Sequence, residues 1–351
     1  MDWPAKKSPQ SGSGLAQLAA GLNKRLADEN PRTNLVFSPL SIYTALSLLA
    51  AGARDTTLDE ILRILGARSC SELESFVSRM AADALQDRSA SGGPRVAFAC
   101  GVWSDLSRPL KPAFREAVVG TYKAEASTVN FQGAPEETRG QINAWAAQVT
   151  RVVLGNAMYF KGKWEDQPFD RRYTVHEPFH RLARSQVAVP FMQSTMSQFV
   201  AVHDGFKVLK LRYKCAARSV FSGSNRTGYT QFSMCIFLPD AHDGLWGLLD
   251  TIASRPGFLH DHLPEQQIAL REFRMPKFKL SFHSSIVAVL KKLGLELPFC
   301  ERGNLSEMVE GDGSGLPIVV GDVIHKAVVE VNEEGTEAVV FAGHVLDPSK
   351  E

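Results

Sequence analysis

Three groups of residues have types and spacings that could do chemistry. His176 and His180 stand four apart, the spacing that sets two imidazoles on one helical face as metal ligands. Pro178 between them disfavours that helix and points to two exposed loop histidines. His260-Asp261-His262 offers two imidazoles around a carboxylate with no third ligand in view, so no metal is assigned. Gly311-Asp312-Gly313-Ser314-Gly315 has the composition of a phosphate loop, but no lysine follows, and Leu316-Pro317 stand where a helix should begin. A flexible loop is the better reading. The chain has no G-x-S-x-G, H-E-x-x-H or G-x-x-x-x-G-K-[ST], and no pairing of nucleophile and base is visible. An enzyme is not expected, nor a cofactor. Asn225-Arg226-Thr227 is a glycosylation sequon, which has meaning only for a secreted chain.

A fourth group is more informative. Glu333-Glu334-Gly335-Thr336-Glu337-Ala338 follows a long strand expected over Val323 to Val331 and runs on through Val339, Val340, Phe341 and Ala342 to Gly343. The elements that must position it are legible. Leu15, Leu18, Leu22 and Leu26 recur at helical spacing, and Ser38-Pro39 supplies a cap and a first-turn proline for a second helix towards Ala51. Thr56 or Thr57 can cap a third helix that ends at Gly66, and Glu72 to Leu85 repeats the pattern. Further helices are expected over Pro112 to Val119, Glu136 to Val149, Leu245 to Ile252 and His283 to Leu293. Val96 to Trp103 reads as a strand, and Arg151 to Phe160 is apolar on both faces of its pleat, as a central strand should be. The runs QVAVPFM, FKVLKLRY and QFSMCIFLP continue the strand pattern. The class is α+β, helices first and large mixed or antiparallel sheets later.

The chain of 351 residues is 44% hydrophobic and 22% charged, which suits a folded protein with a substantial core. No linker or repeat divides it, so 1–351 is read as one domain. Lys plus Arg number 39 against 38 Asp plus Glu, so no global field exists to hold nucleic acid or an acidic membrane surface. Five cysteines, far apart and without C-x-x-C, read as free thiols. The start of the chain has no apolar signal segment, and Leu40 to Ala53 is too short and too interrupted to span a membrane. A cytoplasmic or nucleocytoplasmic monomer is expected, with an extracellular location as the alternative.

Four motifs point further: Asn34-Leu35-Val36-Phe37-Ser38-Pro39-Leu40-Ser41-Ile42, Asn156-Ala157-Met158-Tyr159-Phe160-Lys161-Gly162-Lys163-Trp164, Met275-Pro276-Lys277-Phe278-Lys279, and His325-Lys326-Ala327 before Glu-Glu-Gly-Thr-Glu-Ala. With them the chain resembles the serpins, plant serpins in particular, over nearly its whole length. The resemblance implies a serine-type protease inhibitor without catalytic residues. Its exposed reactive loop is cut by a target protease and inserts into the central sheet, a metastable design. It makes 333–343 the reactive-loop hinge, with Thr336, Ala338, Val340 and Ala342 facing inward and Glu337, Val339 and Phe341 on the other face. It makes Ser38, Ser41, Asn156 and His325 a buried polar cluster beneath the sheet. Trp164 stands where insertion starts, and Lys277 pairs with Glu333.

The chain departs from that pattern in three ways. The helix ending near Thr150 runs straight into Arg151 without a connecting segment. Val339, Val340 and Phe341 replace small hinge residues, and overpacking costs about 1 to 3 kcal/mol per site. The chain ends 16 residues beyond Gly335, which in family register puts the scissile bond at Ser349-Lys350 and leaves the final core strands missing. The expectation is a truncated, non-inhibitory serpin. The alternative is a functional suicide substrate for a serine or cysteine protease.

Overall fold

In the computed structural model, residues 12–83, 86–122, 124–130, 152–215, 231–255, 257–311, 313–338 and 342–351 are described. The expected helix over Glu136 to Val149, its junction at Arg151, the sequon, and Val339, Val340 and Phe341 lie outside them.

Helix α1 (Gly12–Glu29) buries the periodic Leu18, Leu22 and Leu26. In α2 (Pro39–Gly52) the Ser38 side chain accepts the Ser41 amide at 3.2 Å and Pro39 opens the first turn. Apart from Ala51 and Ala45 the helix is buried, as its apolar composition requires. Gly66 closes α3 (Asp55–Leu65) in the left-handed conformation, at φ 62°. The expected threonine cap of α3 is a correction: Arg54 occupies the cap position with no side-chain bond, and Thr57 instead accepts the Asn304 amide at 2.8 Å. Helices α4 (Cys70–Asp83), α5 (Pro112–Gly120) and α6 (Leu245–Ser254) fall where periodicity put them. A one-turn α7 (Phe258–Asp261) follows. The helix expected from His283 is shorter than its pattern, since strand pairing holds the chain extended to Ser285 and α8 covers only Val287–Lys292.

The strands are β1 (Leu35–Phe37), β2 (Arg95–Asp105), β3 (Glu125–Val129), β4 (Val152–Lys163), β5 (Val175–His180), β6 (Gln186–Ser194), β7 (Gln198–His203), β8 (Phe206–Arg212), β9 (Ser233–Pro239), β10 (Gln267–Ile268), β11 (Phe273–Pro276), β12 (Phe278–Ser285), β13 (Ile324–Val331), β14 (Gly335–Ala338) and β15 (Ala342–His344). A six-stranded sheet has the order β12-β13-β14-β4-β2-β3, antiparallel throughout except for the parallel β2–β3 pair. Smaller antiparallel sheets run β11-β6-β5, β10-β7-β8-β9 and β1-β15. The loop placement of His176 and His180 is corrected: both lie on β5, an edge strand, where Pro178 is tolerated. One apolar cluster joins α1, α2, the six-stranded sheet and Met308–Val309.

Candidate functional site

Of the segment expected as a hinge, Gly335–Ala338 lies inside the central sheet as β14. From Val331 the chain turns back on itself at Glu333-Glu334, and the Asn332 amide donates to the Gly335 carbonyl at 3.0 Å. The Asn332 side-chain oxygen accepts the amides of Glu334 and Gly335 at 3.0 and 3.3 Å, a turn that an asparagine can close by itself. Strand β14 then pairs on one side with β13, Thr336 opposite Val331, and on the other with β4, Thr336 opposite Gly162. A side chain at Gly335 would collide with the carbonyl oxygen of Gly162, so only glycine allows the two backbones to approach. Thr336 is buried, its hydroxyl beside the Tyr213 phenol, which burial pushes well above its ordinary range. Ala338 stands opposite Val329 and Phe160, and Glu337 opposite Glu330 and Lys161.

Trp164 clamps the turn. Its amide donates to the Glu334 carbonyl at 3.0 Å and its indole N–H to the Asn332 carbonyl at 2.9 Å. Its ring stacks on Tyr213, centroids 5.0 Å apart at 14°. The two turn carboxylates differ sharply. Glu333, its side chain 4% exposed, meets Lys277 at 2.9 Å and accepts the Thr174 hydroxyl at 2.7 Å. Burial alone would push its carboxyl up, but those bonds outweigh it and hold the group below its usual range. Glu334, 62% exposed, pairs with Arg171 at 2.5 Å on the surface.

Beneath the sheet, the Ser38 amide donates to His325 Nε2 at 3.0 Å, so that nitrogen is unprotonated. Burial pushes the imidazole down to about 4. The structure thus brings Ser38, Ser41 and His325 together. Asn156 lies on β4 opposite Cys100, and its side chain is outside the described atoms.

The expectation for the last residues is overturned. Ala342–His344 is not the start of an exposed loop: β15 pairs with β1, Ala342 opposite Phe37 and His344 opposite Leu35. The Asn34 amide nitrogen donates to the carbonyls of Asp347 and Lys350 at 2.8 and 2.9 Å, while its oxygen accepts the amides of Leu346 and Asp347, both at 2.9 Å. Asp347 meets Arg181 at 3.0 Å and accepts both the amide and the hydroxyl of Ser349. His344 lies under the Trp246 edge and donates to the Thr33 carbonyl at 3.0 Å. Ser349 and Lys350 therefore close an anchored turn and are not held out as a scissile segment. The reason is chain length: only three residues separate Ala338 from Ala342, so no bait loop fits between them. Asn34, Thr174, Tyr213 and Asn332 had no assigned role in the sequence, because each acts on a partner remote in the chain or on backbone atoms.

The site is thus a short strand set between β13 and β4, its entry turn tied down by Trp164 and the Lys277–Glu333 pair. The family model for Serpin (serine protease inhibitor) matches residues 13–350, and the chain belongs to the serpin family. It is 48% identical to putative serpin-Z8 of Oryza sativa subsp. japonica, over 96% of each chain, and 40% identical to Serpin-ZX of Arabidopsis thaliana, over 90% of this chain and 82% of the relative. Among solved structures it resembles Arabidopsis AtSerpin1 in its native stressed conformation, with a TM-score of 0.83 and 38% identity over 94% of this chain and 86% of that one. The alignment with the rice relative spans 407 positions, more than the 351 residues here, so this chain lacks internal segments that the relative has. Among the described residues no helix is long and apolar enough to cross a membrane.

Proposed function

We propose that this chain is a serpin-family protein that does not trap proteases. The observation that carries the reading is the pairing of the hinge as β14 with only three residues left before β15. A suicide substrate needs a loop that a protease can bind in extended form, and it needs free energy still to be released when that loop inserts. Here the four steps from Ala338 to Ala342 span at most about 14 Å even when fully extended, and both ends are held in strand ladders. Presenting the segment would require unpairing one ladder. With β14 already paired on both sides, cleavage would release little further pairing energy.

The test is incubation with a trypsin-like, a chymotrypsin-like and a papain-like protease, followed by denaturing electrophoresis. The expected outcome is no detergent-resistant complex, and no rise in melting temperature after limited proteolysis. A covalent complex in near-equal amounts would overturn the reading and restore the inhibitor of serine or cysteine proteases that the family suggests.

A further inference from the structure

The carboxylate of Glu333 is held partly by a hydroxyl that has a sequence context of its own. Lys277 reaches both of its oxygens, at 3.2 and 2.9 Å, and Thr174 donates to one of them at 2.7 Å. Adjacent basic residues occur four times in the chain, as Lys6-Lys7, Lys24-Arg25, Arg171-Arg172 and Lys291-Lys292. Two positions beyond them stand Pro9, Ala27, Thr174 and Gly294, so only the third pair is followed at that spacing by a hydroxyl. Val175 then places an apolar side chain directly after it. Two arginines at the third and second positions before a hydroxyl, with an apolar residue behind it, complement a protein-kinase groove that sets carboxylates on one side of the phosphoryl donor and an apolar pocket on the other.

The fold turns this pattern outward. Asp170 caps a single 3₁₀ turn, Arg171–Tyr173, and Thr174 leaves it in extended conformation immediately before β5. The side chains of Arg171 and Arg172 are 69% and 80% exposed, and Tyr173 and Val175 are 61% and 41% exposed. Thr174 between them is half-buried. Glu334 and Asp170 hold the two guanidiniums in surface ion pairs at 2.5 and 2.6 Å. Such pairs contribute little, so an acidic groove displaces them at small cost. Two backbone bonds close the turn, from the Tyr173 amide to the Asp170 carbonyl at 3.0 Å and from the Thr174 amide to the Arg171 carbonyl at 3.2 Å. A local opening that frees the hydroxyl therefore breaks few contacts.

We propose that Thr174 is a phosphorylation site for a protein kinase that reads paired arginines, and that the phosphate releases the Glu333 turn. In the transfer the Thr174 oxygen attacks the γ-phosphorus of a nucleoside triphosphate, the bond from that phosphorus to the departing nucleoside diphosphate breaks, and the hydroxyl proton passes to the kinase's base. The product carries up to about two negative charges where a hydroxyl had donated to a carboxylate, so a hydrogen bond becomes a repulsion. Lys277 is then contested by two anions, and Arg171 and Arg172 stand beside Thr174 to draw the phosphate outward. The turn that leads into β14 loses part of its hold on Glu333. The inference goes beyond the proposed function and does not depend on whether the chain traps proteases.

The full chain is incubated with a protein kinase of the cyclic-AMP-dependent type and magnesium ATP, and the modified residue is located by peptide mass spectrometry. One phosphate on Thr174 is expected. Its rate of incorporation should fall at least tenfold when Arg171→Ala and Arg172→Ala are combined, and should survive Thr174→Ser, which keeps the hydroxyl. The phosphorylated chain should melt at a lower temperature than the unmodified one, and a phosphatase should restore the original curve. Absence of phosphate on Thr174 in the folded chain overturns the proposal, whether a free peptide of residues 168–178 is modified, so that the fold withholds the hydroxyl, or is not, so that the sequence is not read. Incorporation indifferent to the two arginines overturns it as well, and an unchanged or raised melting temperature overturns the release of the turn.

Discussion

The two ends of the short bridge between β14 and β15 are secured by different physics. At the hinge end, backbones approach so closely that a side chain at Gly335 would meet the Gly162 carbonyl oxygen and one at Gly162 would meet the Tyr213 and Phe160 rings, and aromatic rings seal the joint. At the far end, a single half-buried asparagine, Asn34, ties down 346–350 through four hydrogen bonds to backbone. The first is a packing device, intolerant of any added atom; the second is a polar device, intolerant of a lost one. The difference teaches that β14 and the final residues are held by unlike means, one by close packing and one by polar bonds.

The largest test breaks the hinge end. Gly335→Val drives a branched side chain into the Gly162 carbonyl and should destabilise the fold by about 3 kcal/mol, the upper end for overpacking, read as a lower urea midpoint. A pH titration compares the layer beneath. His325 is neutral in the fold down to about pH 4, whereas in the unfolded chain it takes a proton near 6.5. Between those values the unfolded state binds the extra proton, so stability falls as pH is lowered through that window, by about 2 to 3 kcal/mol in all. His344, also pushed down by burial, adds the same sign. His325→Asn should remove most of that slope in thermal melts taken from pH 7 to pH 4.

Asn34→Ala breaks the far end. Four backbone groups lose their partner, and about 2 kcal/mol should go, with faster hydrogen exchange confined to 342–351 and little change at β14. If exchange at β14 rises equally, the two ends are one cooperative unit and the distinction fails. The smallest effects separate the neighbouring acids. Lys277→Ala leaves the Glu333 carboxylate buried without its cation and should cost about 1 to 2 kcal/mol. Arg171→Ala, at the exposed Glu334, should cost under about 0.5 kcal/mol in the same denaturation assay.

Much of this site could be read along the chain. Ser38-Pro39 announces a capped helix, the apolar run from Arg151 to Phe160 announces a central strand, which the structure has over Val152–Lys163, and the Lys277–Glu333 pair that the resemblance implies is present at 2.9 Å. Ser349 and Lys350 lie in the final anchored turn and not in a bait loop, since family spacing from Gly335 presumes a continuous loop. Strand pairing shows instead that the chain passes almost directly from β14 to β15. Three residues carry no periodicity by which to choose between a loop that leaves and a strand that returns.

By itself the sequence determined what local physics can write: which segments have a helical period, which strands are apolar on both faces, and to which family the motifs belong. Only the tertiary structure decided that Gly335–Ala338 is paired between β13 and β4 and that Asn34 holds the final turn. Those facts join residues up to about three hundred positions apart, such as Asn34 and Asp347, and strand pairing between distant segments leaves no signature within either segment alone.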